Sequence, residues 1–374
     1  MQTSSFLDWT RKYASGLYEL NRIRKAKTWP KNSIVYYVGK PKDGLTPHSL
    51  AEGTSGSHTA VIYLAREWAK LGYDVTVFSN CGDREGVYDG VRYLNYYYFN
   101  WYDTFDVLLI WRHPYMLRPR VKARRIGLEW QDVLDPPKCF PRDVMRRFDV
   151  IFSKSQFQRG LVPELPDSKF AIVSNGIDRS IAKYYDWEKN PHRLVYASRY
   201  YRGLEDMLAY GWPIIKQAIP EAELHLYYGF NRVEMGPDKA IWRKKMMALM
   251  EQPGVVNHGR VGQGQLIEEK AQSAIHYYGC TFEEVDCISV RESAAVGCVP
   301  VTTDFAVLSE KDYCHKVPGD PKKRATQEAV AHRIVELLQN PDELKAVREH
   351  CFEKAKDDAW DKIAKTWLAN LVAA

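Results

Sequence analysis

Two carboxylates, Glu284 and Glu292, stand with seven residues between them in the stretch 281–301, TFEEVDCISVRESAAVGCVPV. The apolar run 275–278 predicts a strand before it, and 289–296 predicts a helix. The stretch therefore passes from a strand's carboxyl end into a helix, which is where open α/β sheets bind ligands. A helix start offers unpaired backbone N–H groups that suit a phosphate. Glu284 falls in the loop before the helix and Glu292 about one turn inside it, with its side chain leaning back toward the start. Two acceptor-only groups at such a place suit hydroxyls, as of a sugar and a ribose. Two surface glutamates on an ordinary helix would carry the same two letters. The small apolar tail 294–301 weighs against that, because it marks the helix as buried beside the sheet.

These residues need a frame. The segment 4–27 reads as a helix, stopped by Trp29-Pro30. A strand at 33–38, a glycine-containing loop ending at 53–57, a helix at 59–71 and a strand at 73–78 have the spacing of a βαβ unit. Strand-like runs follow at 91–98, 106–111, 125–130 and 149–153, apolar enough to predict a parallel sheet covered on both faces. The turn Ser174-Asn175-Gly176-Ile177-Asp178 closes this unit. The alternation then restarts: strands at 193–197, 222–228, 255–258, 275–278 and 299–301, with helices at 204–218, 242–250, 265–273 and 289–296. Two consecutive doubly wound halves predict two Rossmann-like domains facing a cleft. The expected division is 1–178, carrying the extra N-terminal helix, 179–355, and a C-terminal helix at 356–374.

Composition narrows the class. The chain has 374 residues, 45% hydrophobic and 27% charged, which suits a globular protein of two domains. No apolar run reaches the roughly 20 residues of a membrane span, and the first 29 residues have no signal-peptide core. A soluble cytoplasmic protein is the expectation. Seven scattered cysteines with no Cys-x-x-Cys predict free thiols and no structural metal. The net charge of +6 includes a basic cluster from Arg11 to Lys27. A solvated helix face explains it better than nucleic acid or lipid does. The aromatic run 93–102 suits a buried strand and turn better than an acceptor, membrane-surface or dimer patch. No Gly-x-Gly-x-x-Gly follows a strand, which removes a dinucleotide dehydrogenase. No Gly-x-x-x-x-Gly-Lys loop or RNA-binding signature is present.

The glutamate pair, followed by a small residue, Gly297, Pro300 and Val301, resembles the donor motif of glycosyltransferase family 4. Cys287-Ile288-Ser289 between the glutamates resembles one bacterial-type subgroup. Other pieces match in order: Ser198-Arg199-Tyr200-Tyr201-Arg202-Gly203-Leu204 resembles a phosphate-binding turn, and 224–229 the next strand. The turn 174–178 resembles the interdomain turn, and 53–57 the first glycine loop. Trp111-Arg112-His113-Pro114 and Trp130-Gln131-Asp132-Val133 resemble two strand ends facing the cleft. The resemblance covers the chain from Ile34 onward.

It implies the GT-B fold, with the last helix crossing back to the first domain, and a retaining transferase. A nucleotide-sugar is the donor, GDP-mannose first and a UDP-sugar second, and a glycan or glycoprotein hydroxyl is the acceptor. By resemblance, Glu284 binds the donor sugar and Glu292 the ribose. Backbone N–H groups of Cys287, Ile288 and Ser289 meet the diphosphate, and Arg199 and Arg202 supply its counter-charge, which would stabilise the departing phosphate. The family more often has a lysine where Arg202 stands. Gly259-Arg260-Val261 lies by the base, and Gly56 and Ser57 belong to the glycine loop. His113 and Asp132 are candidates near the reacting sugar and the acceptor. The subgroup's His-Asp reads Gln131-Asp132 here, so His113 either substitutes or no imidazole is needed. His58 reads as a helix-start residue. No Asp-x-Asp is present, so no cofactor and no essential metal is expected. A monomer or homodimer, weak contact with a membrane surface and no nucleic acid complete the expectation. A nucleotide-sugar epimerase or a phosphorylase on the same fold, or a non-catalytic nucleic-acid- or anion-binding module, are the competing readings.

Overall fold

The structure is a computed structural model that describes residues 15–133, 142–230 and 234–372. A short helix, α1 (Ser15–Arg24), precedes an eight-stranded sheet. The helix expected from residue 4 therefore lies partly outside the described residues. Strand β1 (Ser33–Tyr37) leads into α2 (Gly56–Lys70), then β2 (Asp74–Ser79), β3 (Gly86–Tyr88), β4 (Val91–Asn95), β5 (Thr104–Trp111), β6 (Lys122–Glu129), β7 (Val150–Ser153) and β8 (Phe170–Ile172). The strand order is β3-β4-β2-β1-β5-β6-β7-β8, and only the β3–β4 pair is antiparallel. The strand expected over 91–98 ends at Asn95, and Tyr96–Tyr98 forms a 3-10 turn.

The second sheet begins with β9 (Asn190–Ala197) and continues with β10 (Glu223–Tyr227), β11 (Val255–Gly259), β12 (Ser273–Tyr278), β13 (Val299–Thr303) and β14 (His315–Val317), all parallel, in the order β11-β10-β9-β12-β13-β14. After β9 comes α3, which runs through Leu204–Asp206, a π-helical turn Met207–Gly211, and Trp212–Ala218. The periodicity over 204–218 predicts an unbroken α-helix. Pro213 lacks the N–H for the ladder, and the widened turn just before it accommodates that loss. Helices α4 (Gln263–Ala271) and α5 (Ile288–Ala295) follow β11 and β12.

Each sheet reverses its winding once, between β1 and β5 and between β9 and β12. Those are the switch points where the carboxyl ends of neighbouring strands splay apart and leave a crevice. The last helix, α6 (Trp360–Val372), packs on the first sheet. Its apolar face, Trp360, Ile363, Ala364, Trp367 and Leu371, is buried at helical spacing. Trp367 stacks on Phe152 with centroids 3.6 Å apart, and the Trp68 indole donates to the Ala364 carbonyl at 3.2 Å. Arg125 holds the helix end through the carbonyls of Leu371 and Asn370. The six described cysteines are free and buried. Among the described residues no helix is long and apolar enough to cross a membrane.

Candidate active site

A cavity of about 230 Å³ opens between the two sheets at the carboxyl ends of their strands. Its first-domain wall is 53–57, Thr59, Arg112 and 131–133; its second-domain wall includes 197–199, Tyr201, Arg202, Tyr228, Val261, Gln263 and 284–289.

Two helix starts converge on it. The sequence placed Gly56 and Ser57 in a loop, but α2 begins at Gly56, because Ser55 caps it by accepting from the His58 N–H. A methyl group on Gly56 would lie 3.5 Å from the Ile288 side chain, so the starts of α2 and α5 face each other. Neither first turn carries an acidic residue. Their unpaired N–H groups and dipoles, those of Ile288 and Ser289 among them, make the crevice a place for an anion. The Ser289 hydroxyl donates to the Ala197 carbonyl at 2.8 Å, which ties α5 to the end of β9.

The two glutamates are almost wholly buried, Glu284 at 3% and Glu292 at 5% exposure, and both line the cavity. Buried carboxylates need partners, and each has its own set. Glu284 accepts from the Tyr278 hydroxyl at 2.6 Å and pairs with Arg202. Glu292 accepts from Lys270 at 2.7 Å and from Gln263 at 2.8 Å. Lys270 has no exposed side chain and also donates to the Ser289 carbonyl at 3.0 Å. Sequence reasoning missed Tyr278, Gln263 and Lys270. Gln263 and Lys270 lie seven positions apart on α4, two turns along one face, and that spacing was the available signal.

Arg202 thus has a carboxylate partner at the cavity wall. Burial opposes its charge, but Glu284 and the nearby Tyr278 and Tyr201 hydroxyls hold its pKa well above the ordinary arginine value. Arg199 also lines the cavity, donating to the Tyr228 hydroxyl at 3.0 Å. Between the glutamates, the Asp286 side chain is fully buried. Burial works against its charge, yet Lys311 and Arg291 keep its carboxyl below the usual range. It accepts from the Asn175 N–H at 2.7 Å, and Arg291 bonds the Asn175 carbonyl. Asp286 and Arg291 therefore clamp the 174–178 turn onto α5.

Of the three residues expected beside the base, Val261 lines the cavity while Gly259 and Arg260 do not. Gly53 packs so closely on this loop that a methyl group there would sit 2.3 Å from the Val261 carbonyl oxygen. Gly53 also has φ +83°, which glycine alone adopts without strain.

His113, expected near the reacting sugar, stands outside the cavity lining. Its ring stacks on Tyr115, with centroids 5.1 Å apart. The strand ends at Trp111, and the chain turns at Arg112, whose side chain lines the cavity. Arg112 sits at φ +61°, lines the cavity, and forms a two-pronged ion pair with Asp132, which lines it too. Behind them Gln131 donates to Glu129, and Glu129 pairs with the fully buried Lys154 at 2.8 Å. A buried imidazole lies close by, His58, in the first turn of α2, bonded to the Thr54 hydroxyl at 3.1 Å. Burial, then the Arg112 charge, pushes it down to about 4, so it is neutral at pH 7. Among the described residues no group of three or more His, Cys, Asp or Glu is placed to hold a metal.

No family model matches the chain, and no curated protein matches it either. Solved structures do. Sucrose-phosphate synthase from Thermosynechococcus elongatus aligns with a TM-score of 0.69 at 13% identity, over 91% of this chain and 100% of that one. A trehalose-phosphate synthase (UDP-forming) from Burkholderia vietnamiensis aligns with a TM-score of 0.67 at 12% identity, over 92% and 100%. HepE from Anabaena, in complex with UDP-glucose, aligns with a TM-score of 0.66 at 11% identity, over 91% and 100%. At such identities the likeness concerns the fold, and the fold is the two-domain GT-B architecture.

Proposed function

We propose that this GT-B chain is a retaining glycosyltransferase that moves a sugar from a nucleoside-diphosphate sugar to a hydroxyl of a glycan or glycoprotein. The observation that carries the reading is the pair of buried glutamates, each held by its own cation, flanking the start of α5 in the interdomain cavity. Surface glutamates would not be so buried or so partnered.

In this reading the diphosphate lies against the N–H groups at the start of α5, facing Arg199 and Arg202. Glu284, in the loop, accepts from donor-sugar hydroxyls, and Glu292, a turn inside the helix, from ribose hydroxyls. The reaction breaks the bond between the anomeric carbon and the phosphate oxygen. The acceptor oxygen bonds to that carbon on the same face, and its proton passes to the departing phosphate oxygen. Nucleoside diphosphate leaves. The developing negative charge is met by fixed cations and helix dipoles, which need no reorganisation as the bond breaks. The neutral His58 takes no part in the proton transfer, and Asp132 orients the acceptor. No metal is required by this scheme, so transfer continues in EDTA.

The motif resemblance placed GDP-mannose first. The HepE structures hold UDP and UDP-glucose, and that supports testing UDP-glucose ahead of GDP-mannose. Calorimetric titration of a nucleotide-sugar panel, repeated with Glu284→Ala, tests the reading. One donor binds the wild type and is lost in the variant. If the wild type binds no donor, the reading fails.

A further inference from the structure

A second cavity, of about 190 Å³, lies wholly in the first domain, between α1 and the 96–102 segment. Its lining includes Tyr18 and Glu19 from α1, Tyr96, Trp101 and Tyr102 from that segment, and Arg118. The apolar part of the lining is aromatic, with no aliphatic side chain. An acyl chain would be met by aliphatic groups, whereas the C–H face of a sugar ring packs on aromatic rings. A nucleobase would want parallel rings. Here Trp101 stands edge-on to Tyr37 at 4.9 Å and to Phe99 at 4.6 Å.

The polar groups divide into two sets. Arg22 and Asn100 are spent on holding the wall: Arg22 donates to the carbonyls of Tyr97, Tyr98 and Phe99, and Asn100 donates to the Arg22 carbonyl. The others retain capacity. Among the described residues the Trp101 indole N–H and the Tyr96 hydroxyl make no hydrogen bond. Glu19 accepts from the Tyr102 hydroxyl at 2.7 Å, and its nearest cation among the described residues, Arg118, is 4.0 Å away. A carboxylate acceptor, an indole N–H donor and a phenol hydroxyl around aromatic rings match hydroxyls that both donate and accept.

The cavity also lies within reach of the interdomain crevice. Arg112 lines the crevice and Arg118 lines the second cavity, and six residues of chain join them, at most roughly 20 Å when extended. A short oligosaccharide covers that distance.

We infer that this first-domain cavity is a saccharide subsite, which holds a sugar unit of the acceptor remote from the hydroxyl that reacts. The inference rests on the transferase reading only in making the bound saccharide an acceptor.

The test uses the full chain on a printed glycan array, with the strongest glycan then titrated by calorimetry. Each is repeated with Trp101→Ala, Glu19→Gln and Glu284→Ala, and UDP-glucose binding is measured alongside. The expected result is glycan binding that falls tenfold or more in Trp101→Ala and Glu19→Gln. Glu284→Ala leaves it unchanged, and the first two variants keep the wild-type donor affinity. Failure of donor binding alone would sink the transferase reading and leave the saccharide site standing. An array with no bound glycan, or glycan binding indifferent to both Trp101→Ala and Glu19→Gln, overturns the inference. If Trp101→Ala also loses donor affinity, Glu19→Gln, which removes no packing, decides.

Discussion

Replacing Lys270 by methionine tests whether Glu292 is held for structure, for donor binding or for both. Lys270 is fully buried, and its ammonium is the only cation paired with Glu292 among the described residues. Methionine keeps the length of the stem and removes the charge. Glu292 then retains only the Gln263 amide as a partner. Leaving one member of a buried pair behind costs about 3–5 kcal/mol, and Glu292→Met, which strands Lys270, should cost a similar amount. The double variant, Lys270→Met with Glu292→Met, removes both charges. Its expected cost is about 1–2 kcal/mol, set by the hydrogen bonds that the Ser289 carbonyl and Gln263 lose. Urea unfolding, followed through the transition of the second domain, measures all three. The double variant then carries the functional question, because it is folded. Without the Glu292 carboxylate the ribose loses charge-assisted hydrogen bonds worth about 3 kcal/mol, roughly a 150-fold weakening of UDP-glucose binding by calorimetry. If the double variant is as unstable as the two singles added together, the ion pair is not what holds Glu292. If it binds donor as the wild type does, Glu292 does not meet the ribose.

Three further outcomes follow from the geometry. Gly53→Val puts a side chain into the Val261 carbonyl at a positive φ; donor affinity should fall tenfold or more with an unchanged circular dichroism spectrum, and wild-type affinity would show that the two loops need not touch. Acid should destabilise the protein through His58: its folded pKa of about 4 lies below the unfolded value of 6.5, so the unfolded chain takes the proton first and stability is lost as pH falls from 6.5 toward 4. The loss between pH 7.5 and 5 should be about 2 kcal/mol in urea unfolding, and an unchanged acid sensitivity in His58→Gln would refute the assignment. Trp367→Ala removes the ring stacked on Phe152 and packed by Trp68; it should cost about 3–5 kcal/mol in the first-domain transition, and a cost under about 1 kcal/mol would mean that α6 docks without it.

Much of the frame was legible because strand and helix periodicities are local. Most of the parallel strands of both sheets were readable as apolar runs, and α6 as an amphipathic stretch. The exceptions share a cause. Gly56 opens a helix because Ser55 caps it, and a glycine-rich string reads as a loop unless the cap is seen. The π turn before Pro213 is a compromise between a helical pattern and a missing N–H. The short strands β3, β8 and β14 have too few residues to show a period.

The same division runs through the site. The sequence alone determined that Glu284 and Glu292 fall on either side of a helix start, because their spacing is a property of one continuous segment. It also held the basic Arg199 and Arg202 at the end of β9. Which cation meets which carboxylate was decided only by the tertiary structure. Arg202 reaches Glu284 because β9 and β12 are neighbours, and Lys270 reaches Glu292 because α4 and α5 flank β12. Packing also put Arg112 in the cavity wall and His113 against Tyr115, and buried a neutral His58 behind the crevice. Charge pairing depends on distances between strands far apart in the chain, and residue spacing carries no record of those distances.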